Sequence, residues 1–309
     1  MNILIYGIGG VGGYFGGKLA QTGHNVTFIA RGTHLEAIKR NGLLVKSVNG
    51  DFTAKPDLAT DNLSEIPEPD LVILGVKSWQ VSASAKALQP YLKPESVILP
   101  LQNGADNIEK LLKIVPKNQV LGGLCRIISY IKEPGVIEHP AFEPNVIFGE
   151  IDNSKSDRVL AIKEVFDEAG FTNKIADDIE AEIWKKFLFI CTISGLGGLT
   201  RVPIGKIRES EYLYKVMQDT AKEILAVAKA KGINISETDV ENTFKGINNQ
   251  NPETTASTQR DIMDGKPSEL ENFNGYVVKQ GLELGIPTPA NKMIYECLLP
   301  MEHEARGDE

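Results

Sequence analysis

The sequence of 309 residues has little cysteine, little histidine and no excess of positive charge. Its three cysteines, Cys125, Cys191 and Cys297, lie far apart and match no zinc or redox spacing, so we expect reduced thiols in a cytoplasmic protein. The four histidines are equally scattered, which argues against a metal site. Lys and Arg total 33 against 41 Asp and Glu, and an acidic chain without basic clusters is a poor partner for nucleic acid.

Long hydrophobic runs are also missing. The longest uncharged apolar stretch runs only from Phe187 to Thr200, which is shorter than the roughly 20 residues that a membrane span requires. The N-terminus carries no positive charge before Lys18, so it does not have the pattern of a signal peptide. Hydrophobic residues make up 42% of the chain and charged residues 24%, which is the balance of a core-forming globular protein. We therefore expect a protein of the cytoplasm without a membrane segment.

Two different patterns divide the chain. Up to about residue 175, short β-branched runs alternate with helical patterns, which indicates βαβ units and a parallel sheet with helices on both faces. After that point the strand patterns stop and only helical patterns follow. The sequence thus predicts an α/β domain with a Rossmann-type doubly wound parallel sheet over residues 1–175, followed by an all-helical C-terminal domain over residues 176–309.

Individual elements can be predicted from the same patterns. We expect parallel strands at 2–6, 25–30, 71–76 and 96–100, and helices between them at 11–22, 33–41, 80–89 and 106–114. The turn dipeptide Asn49-Gly50 predicts a hairpin over 43–54, and Pro134-Gly135 predicts a turn between antiparallel segments at 119–130 and 136–149. In the second half we expect helices at 178–194, 211–231, 236–248, 252–264, 269–284 and 289–302.

A glycine-rich turn follows the first predicted strand and opens the first predicted helix. Its pattern is G-x-G-x-x-G, in which Gly7 allows a tight turn, Gly9 lets the backbone approach a pyrophosphate and Gly12 lets helix and strand pack closely. The helix N-terminus favours such an anion. The turn therefore predicts a dinucleotide site formed by Gly7, Ile8, Gly9, Gly10, Val11 and Gly12, and a plain glycine turn is the alternative.

Polar residues at the ends of the next strands indicate which dinucleotide binds. The second strand ends at Arg31, where an NAD enzyme would carry an acidic residue for the ribose hydroxyls. An arginine can pair with a 2′-phosphate instead, so NADP is preferred over NAD, with an ordinary surface arginine as the alternative. Lys77 and Asn103 follow the third and fourth strands, at the edge where doubly wound sheets bind ligands.

The helical half contains two polar clusters. Lys185 and Lys186 interrupt an apolar helix, and the pair could either extend its ammonium groups into solvent or contribute to catalysis. Ser268 and Glu269 belong to the second cluster. They could be a helix cap followed by an acidic first turn.

Together these motifs resemble the ketopantoate reductases (2-dehydropantoate 2-reductases), NADPH-dependent enzymes of pantothenate biosynthesis. The resemblance covers essentially the whole chain. It rests on six ordered motifs, at residues 7–12, 31, 76–80, 102–104, 184–186 and 268–275. It implies an N-terminal Rossmann domain and a C-terminal helical domain, with the active site in the cleft between them.

The resemblance also implies roles for individual residues. Lys186 corresponds to the catalytic lysine, Asn103 to the asparagine beside nicotinamide and substrate, and Glu269 to the glutamate at the cofactor ribose. Arg31 and Lys77 correspond to the groups around the 2′-phosphate. The chemistry is coherent, because hydride transfer to a ketone builds negative charge on its oxygen, which an ammonium group can stabilise and then protonate.

The substrate side of the resemblance is less complete. Ser257 corresponds to the serine that helps to hold the carboxylate of a 2-oxo acid, but the family's asparagines align with Ile190, Ser194 and Ile204. Because a pocket without these amides discriminates differently, a reductase of another 2-oxo acid or carbonyl compound is an alternative. A non-catalytic dinucleotide-binding sensor is the alternative from a different class. The sequence leaves a homodimer open as the assembly state.

Overall fold

The computed structural model describes residues 1–307, which divide into two compact units. The first unit contains Met1–Gln102 and Asn107–Ile179, and the second contains the short loop Asn103–Asp106 together with the chain from Glu180 onward. No helix within residues 1–307 has the length and apolar composition that crossing a membrane requires.

The first unit is built from strands and helices that alternate along the chain. Its strands are β1 (Asn2–Tyr6), β2 (Asn25–Ile29), β3 (Leu43–Ser47), β4 (Phe52–Ala54), β5 (Leu58–Thr60), β6 (Leu71–Leu74), β7 (Val97–Pro100), β8 (Gly122–Glu133), β9 (Val136–Gly149) and β10 (Thr172–Ile175). Its helices are α1 (Gly10–Leu19), α2 (Gly32–Asn41), α3 (Val81–Leu88), α4 (Asn107–Leu112) and α5 (Asp157–Glu168).

Five of these strands form a parallel sheet in the order β5-β2-β1-β6-β7. The residues of β6 and β7 are all buried, as are Ile3–Tyr6 of β1, because a parallel sheet is covered on both faces and its strands are apolar throughout. The order and the intervening helices are those of a doubly wound sheet, so the predicted fold class is confirmed.

A second, mixed sheet has the order β10-β9-β3-β4, and β8 pairs along β9. The first part of β9 pairs with β3 and its last part with β10, so these two strands share one edge of β9. The glycine-rich helix α1 packs between the two sheets. A Cβ on Gly16 would lie 2.9 Å from Ile5 of the first sheet, and one on Gly13 would lie 2.6 Å from Ile137 of the second. Glycine in α1 therefore permits the close packing of three layers.

The second unit is helical. Its helices are α6 (Ile179–Thr200, the first residue of which belongs to the first unit), α7 (Ile204–Glu209), α8 (Glu211–Ala230), α9 (Glu237–Asn248), α10 (Ser257–Met263), α11 (Tyr276–Leu284) and α12 (Pro289–Arg306). A π-helical turn, Glu271–Gly275, precedes α11. The core includes Leu196 of α6, Met217 of α8 and Leu298 of α12.

The structure differs from the sequence prediction in several elements. The helix expected at 252–264 begins only at Ser257, because backbone carbonyls of Pro252 and Thr254 accept hydrogen bonds from the first residues of α7. The helix expected at 269–284 begins as the π-helical turn and becomes regular only at Tyr276. Four elements of the structure were not predicted from the sequence: β5, α5, β10 and α7.

Candidate functional site

The carboxyl ends of the central strands lie at one level of the parallel sheet. Tyr6 at the end of β1 is in register with Ile29 of β2 and with Leu74 of β6, and Leu74 is in register with Pro100 of β7. The chain segments that follow these four residues therefore leave the sheet along the same edge. The glycine-rich turn begins directly after Tyr6, and Arg31, Lys77 and Gln102 each lie within three residues of the end of their strand.

The glycine-rich turn is held by backbone packing. Gly7 has φ +100°, a conformation that favours glycine, and its N–H donates to the carbonyl of Ile29 at 3.1 Å. A Cβ on Gly12 would lie 2.0 Å from the carbonyl oxygen of Gly7, so only glycine fits there. At Gly9, by contrast, the nearest atom to an added Cβ is the carbonyl oxygen of Gly75, 3.8 Å away. Gly9 thus presents open backbone at the N-terminus of α1.

The start of α1 is suited to an anion. Gly9 caps the helix without a side chain, and the first turn contains no acidic residue. The first N–H groups of a helix have no partner within it and carry part of its positive dipole end. The residues of this turn therefore fit a dinucleotide pyrophosphate, which would face these N–H groups.

The residues within the turn differ in what they can contribute. The side chain of Ile8 is buried in the core, so only its backbone can reach a ligand, and Val11 packs against the same core. A Cβ on Gly10 would lie 2.1 Å from the carbonyl oxygen of Ser129 in β8. Gly10 is therefore glycine because the second sheet passes close to the helix, a reason that the sequence motif did not suggest.

Two basic side chains flank this turn at the strand ends. Arg31 is exposed and is the N-cap residue of α2, in an extended conformation just after β2. Lys77 is exposed after β6, with its ammonium nitrogen 5.7 Å from the ring centroid of Trp79. Because β2 and β6 are the two neighbours of β1, their backbones are separated by about 10 Å, a distance that two long side chains can bridge to one phosphate.

Gln102, after β7, was quoted in the sequence motif but not assigned a role. Its side chain is only 7% exposed, and neither atom of its amide has a hydrogen-bond partner among residues 1–307. Buried amides in folded proteins are normally hydrogen-bonded. Because its amide has no partner in the described part of the chain, Gln102 is a candidate to hydrogen-bond a polar group of a ligand at this strand edge.

In the second unit, the two adjacent lysines of α6 are in different environments. The ammonium group of Lys185, whose side chain is 39% exposed, lies 3.7 Å from a carboxylate oxygen of Asp239. Lys186 is half-buried, one helical step of about 100° away. Ile190 and Ser194 follow Lys186 at intervals of four residues and therefore share its face of the helix.

The same helix contains a buried thiol. Cys191 is fully buried, and this burial raises the pKa of its thiol far above the usual range. It is therefore protonated at neutral pH and unsuited to act as a nucleophile. Within residues 1–307, no three His, Cys, Asp or Glu side chains form a group that could hold a metal ion.

Glycines near the end of α6 bring two sequence motifs against it. A Cβ on Gly195 would lie 2.1 Å from the amide oxygen of Asn274, and one on Gly197 would lie 2.5 Å from that of Gln259. Asn274 belongs to the motif at 268–275, and Gln259 belongs to α10, which begins at Ser257. The face of α6 that carries Lys186 continues at Gly197, so α10 packs along that face.

The loop that carries Asn103 is joined to the motif at 268–275. The amide of Asn272 donates to a carboxylate oxygen of Asp106 at 3.0 Å, and both side chains are more than nine-tenths buried. Asn103 and Asp106 belong to the same short loop of the second unit. This hydrogen bond links that loop to the π-helical turn, which follows Glu269 closely.

Glu269 is buried in the turn before the π-helical segment, where its carbonyl accepts from the N–H groups of Asn272 and Phe273. Ser268 makes the cap-like contact that its sequence position suggested, because its hydroxyl accepts from the N–H of Leu270 at 3.2 Å. The capping contact of Ser268 leaves the role predicted for Glu269 at the cofactor ribose as a prediction.

The residues predicted on the substrate side are found in different settings. Ser257 is exposed at the start of α10. Ile190 is half-buried and Ser194 is buried, both on the Lys186 face. Ile204 is 4% exposed and belongs to the hydrophobic core of the second unit with Leu196 and Ile207. Of the two isoleucines that the resemblance aligns with family amides, Ile190 is therefore the one less buried and on the lysine face.

Comparison with known proteins identifies the family. The model described as "Ketopantoate reductase PanE/ApbA" matches residues 3–153, and the model described as "Ketopantoate reductase PanE/ApbA C terminal" matches residues 178–302. The chain belongs to the ketopantoate reductase family. It is an oxidoreductase, and the resemblance noted from the motifs is confirmed.

Individual relatives match along their full length. The "uncharacterized oxidoreductase YkpB" of Bacillus subtilis strain 168 is 31% identical over 98% of this chain and 100% of its own. The 2-dehydropantoate 2-reductase of Pyrococcus horikoshii is 28% identical over 100% of both chains. The crystal structure of a PanE/ApbA family ketopantoate reductase from Ralstonia eutropha JMP134 superposes with a TM-score of 0.91, at 29% identity over 99% of this chain and 100% of that one.

Proposed function

We propose that this protein reduces 2-dehydropantoate (ketopantoate) to pantoate with NADPH, a step of pantothenate biosynthesis, and that Lys186 is its general acid. The observation that carries the proposal is that ketopantoate reductase models match both units while the glycine cradle at the start of α1 is intact. The substrate is then a small 2-oxo acid. The homodimer, the domain limits at 175 and 176 and the individual site residues stay predictions.

The proposed cofactor suits the residues at the sheet edge. The open backbone at Gly9 and the N–H groups of α1 would hold the pyrophosphate, and Arg31 and Lys77 would pair with a 2′-phosphate. The backbones of Ile8, Gly10 and Val11 complete the turn around it. When bound, NADPH supplies the hydride. The protein supplies position and charge.

Lys186 has the chemistry that the reduction requires. As hydride reaches the carbonyl carbon, negative charge develops on the carbonyl oxygen, and a nearby ammonium group stabilises that charge more than it stabilises the ketone. The same group can donate the proton that completes the alcohol. Lys186 is half-buried in α6, so its side chain is partly shielded from solvent.

The other predicted residues would orient the reactants. Asn103 would contact nicotinamide and substrate, Glu269 the cofactor ribose, and Ser257 the substrate carboxylate. The hydrogen bond between Asp106 and Asn272 supports a common geometry for two of them, because it joins the Asn103 loop to the segment that follows Glu269. Productive geometry of this kind is worth a large part of an enzyme's rate enhancement.

NADPH oxidation, followed by its absorbance, tests the proposal when purified protein is given a panel of 2-oxo acids that includes ketopantoate. We expect the highest kcat/KM with ketopantoate, pantoate as the product, and loss of this activity in Lys186→Ala. A higher kcat/KM for another member of the panel would reject ketopantoate as the substrate but keep the reaction type. Unchanged turnover in Lys186→Ala would reject the lysine as general acid.

Ile190 favours a second candidate, a reductase of a less polar 2-oxo acid. It places methyl groups on the face of α6 that carries Lys186, one turn away. A pocket that offers no hydrogen bond there gains nothing from a substrate hydroxyl and accepts an apolar group readily. The same panel distinguishes the two candidates if it contains 2-oxo acids with branched apolar chains.

A further inference from the structure

The last helix, α12, holds the segment before the π-helical turn through a buried carboxylate. Glu302 is 3% exposed, and its carboxylate accepts hydrogen bonds from the N–H and the hydroxyl of Ser268. The N–H contacts are 3.0 and 3.1 Å long. The guanidinium of Arg306, one helical turn later, forms an ion pair with the same carboxylate at 2.6 Å. All three residues lie in the second unit.

Arg306 also reaches the other side of Ser268. Its guanidinium donates to the Ser268 carbonyl at 2.9 Å. That carbonyl belongs to the peptide group that joins Ser268 to Glu269. Because a peptide group is planar, a contact that fixes its oxygen also fixes the direction of the following Cα. Glu302 and Arg306 together therefore define how the backbone enters Glu269.

Two further contacts with α12 hold the segment after Glu269. The hydroxyl of Tyr295 donates to a carboxylate oxygen of Glu271 at 2.7 Å, and the amide of Asn274 donates to that of Asn291 at 2.9 Å. Burial, and then the contact with Glu271, raise the pKa of Tyr295 above its usual range, so its hydroxyl remains a donor. The helix thus contacts the motif on both sides of Glu269.

Stability alone is a weak explanation for this arrangement. Burying an ion pair removes two charges from water, and apolar side chains of similar volume often stabilise a fold as well or better. The directional contacts to the N–H, hydroxyl and carbonyl of Ser268 provide what apolar packing cannot, a defined orientation of one peptide group. The residue that benefits most directly is the next one, Glu269.

We propose that Glu302 and Arg306 are positioning residues for Glu269, and that they set the orientation in which it binds the cofactor. This inference rests on the proposed function, in which Glu269 contacts the ribose of NADPH. It extends the cofactor site to the last helix of the chain.

The test measures NADPH affinity by fluorescence titration, together with kcat and KM for ketopantoate. Glu302→Gln keeps the size of the side chain but removes the charge that binds Ser268 and Arg306. We expect it to weaken NADPH affinity by about tenfold. The control is Glu304→Gln, an exposed position on the same helix, which we expect to leave affinity and turnover unchanged.

A double-mutant cycle with Glu269→Gln separates positioning from general damage. If Glu302 acts through Glu269, adding Glu302→Gln to Glu269→Gln causes little further loss of affinity. An equal loss in both backgrounds would overturn the inference, as would an unchanged affinity in Glu302→Gln alone. Should Glu302→Gln fail to fold, Ser268→Ala replaces it in the same cycle with the same two criteria. Ser268→Thr, which restores the hydroxyl, then has to recover the affinity.

The cycle remains informative if the proposed function is wrong. Coupling between the two positions in NADPH affinity, without any turnover of ketopantoate, would reject the substrate and keep the inference. Ketopantoate turnover with full NADPH affinity in Glu269→Gln would keep the function and overturn the inference.

Discussion

Asn272 donates a hydrogen bond from its amide nitrogen to a carboxylate oxygen of Asp106 at 3.0 Å, although 166 positions separate the two residues in the sequence. Both side chains are buried, Asp106 at 9% and Asn272 at 5% exposure. A charged acceptor away from water makes such a bond stronger than one between neutral groups. The pair joins two segments that the family resemblance assigns to the reaction, one containing Asn103 and the other Glu269.

Replacing Asn272 with leucine tests how much this hydrogen bond contributes to the stability of the fold. Leucine has a similar size but cannot donate, so the buried Asp106 carboxylate loses one of its contacts. We expect the free energy of unfolding to fall by about 1–3 kcal/mol in denaturant titrations. Asn242→Leu is the control, because Asn242 is exposed and its replacement should change stability by at most about 0.5 kcal/mol. Equal stability of the two variants would show that the pair contributes nothing.

The pairing of Asp106 with Asn272 is a contact that could not be predicted from the sequence. Residues at the ends of β1, β2, β6 and β7 could be predicted to share an edge because parallel strands in register bring their carboxyl ends to one level. No periodic pattern connects two buried polar side chains that are far apart in the chain. Glu302 is a similar case. Its partner Ser268 lies in a quoted motif, but nothing in the last helix pattern indicates the contact.

The fold, like the site, could be predicted from the sequence only in part. The parallel sheet follows from buried apolar runs such as β6, whereas β10 alternates exposed and half-buried residues and β5 has three residues only. Helix α5 did carry a readable signal, because Ser156 caps it and Val159 and Ile162 face the core, three residues apart. This cap and spacing are sufficient to predict α5 from the sequence.

The glycine-rich turn separates glycines needed for the fold from one available to a ligand. A methyl group on Gly12 would collide with backbone at 2.0 Å, so Gly12→Ala should destabilise the protein strongly. Gly9→Ala has no neighbour closer than 3.8 Å and should fold with nearly unchanged stability. If the pyrophosphate approaches Gly9, the same substitution weakens NADPH binding by about tenfold or more. Thermal melts and NADPH titrations of both variants check this. Unimpaired NADPH binding by Gly9→Ala would contradict the assignment.

Cofactor choice depends on the charge at the strand ends. NADPH differs from NADH by a 2′-phosphate, and losing one charge-assisted contact to it costs about 1.5–3 kcal/mol, roughly ten- to hundredfold in affinity. Arg31→Ala should therefore lower the ratio of NADPH to NADH affinity by this factor. Arg40→Ala, at the exposed end of the same helix, is the control and should leave the ratio unchanged. Titration of each variant with both cofactors gives the ratios, and a constant ratio in Arg31→Ala would reject the phosphate contact.

The adjacent lysines of α6 allow a matched test of catalysis. Lys186→Ala should lower kcat by a factor on the order of 100 or more with NADPH affinity retained, because its contribution belongs to the transition state. Lys185→Ala removes a partly exposed ion pair with Asp239, which is worth at most about 1 kcal/mol of stability, and should keep its turnover. Steady-state kinetics and melting curves of both variants distinguish the roles. Similar losses of kcat at both positions would indicate damage to α6 instead of a specific acid.

Ile190 is the residue through which the substrate preference can be tested most directly. Its methyl groups share the face of α6 with Lys186, whereas Ile204 is buried in the core. A substrate hydroxyl placed against Ile190 would lose a hydrogen bond to water without replacement, a penalty of roughly 1–3 kcal/mol. We therefore expect a ketopantoate KM that falls when Ile190→Asn supplies an amide, with a smaller change for a 2-oxo acid that lacks the hydroxyl.

Ile204→Asn is the control for Ile190→Asn, because Ile204 lies in the core rather than on the lysine face. Ile204→Asn buries an unsatisfied amide among apolar side chains, so it should cost about 1–3 kcal/mol of stability and leave the ratio of kcat/KM values for the two substrates unchanged. A shift of that ratio in Ile190→Asn alone would place the substrate hydroxyl at Ile190. If Ile190→Asn leaves the ratio unchanged and ketopantoate already has a low KM in the unmodified protein, another polar residue, such as Ser194 on the same face or Thr254, holds the hydroxyl instead. The isoleucine at 190 would then carry no specificity, and the protein would be an ordinary ketopantoate reductase.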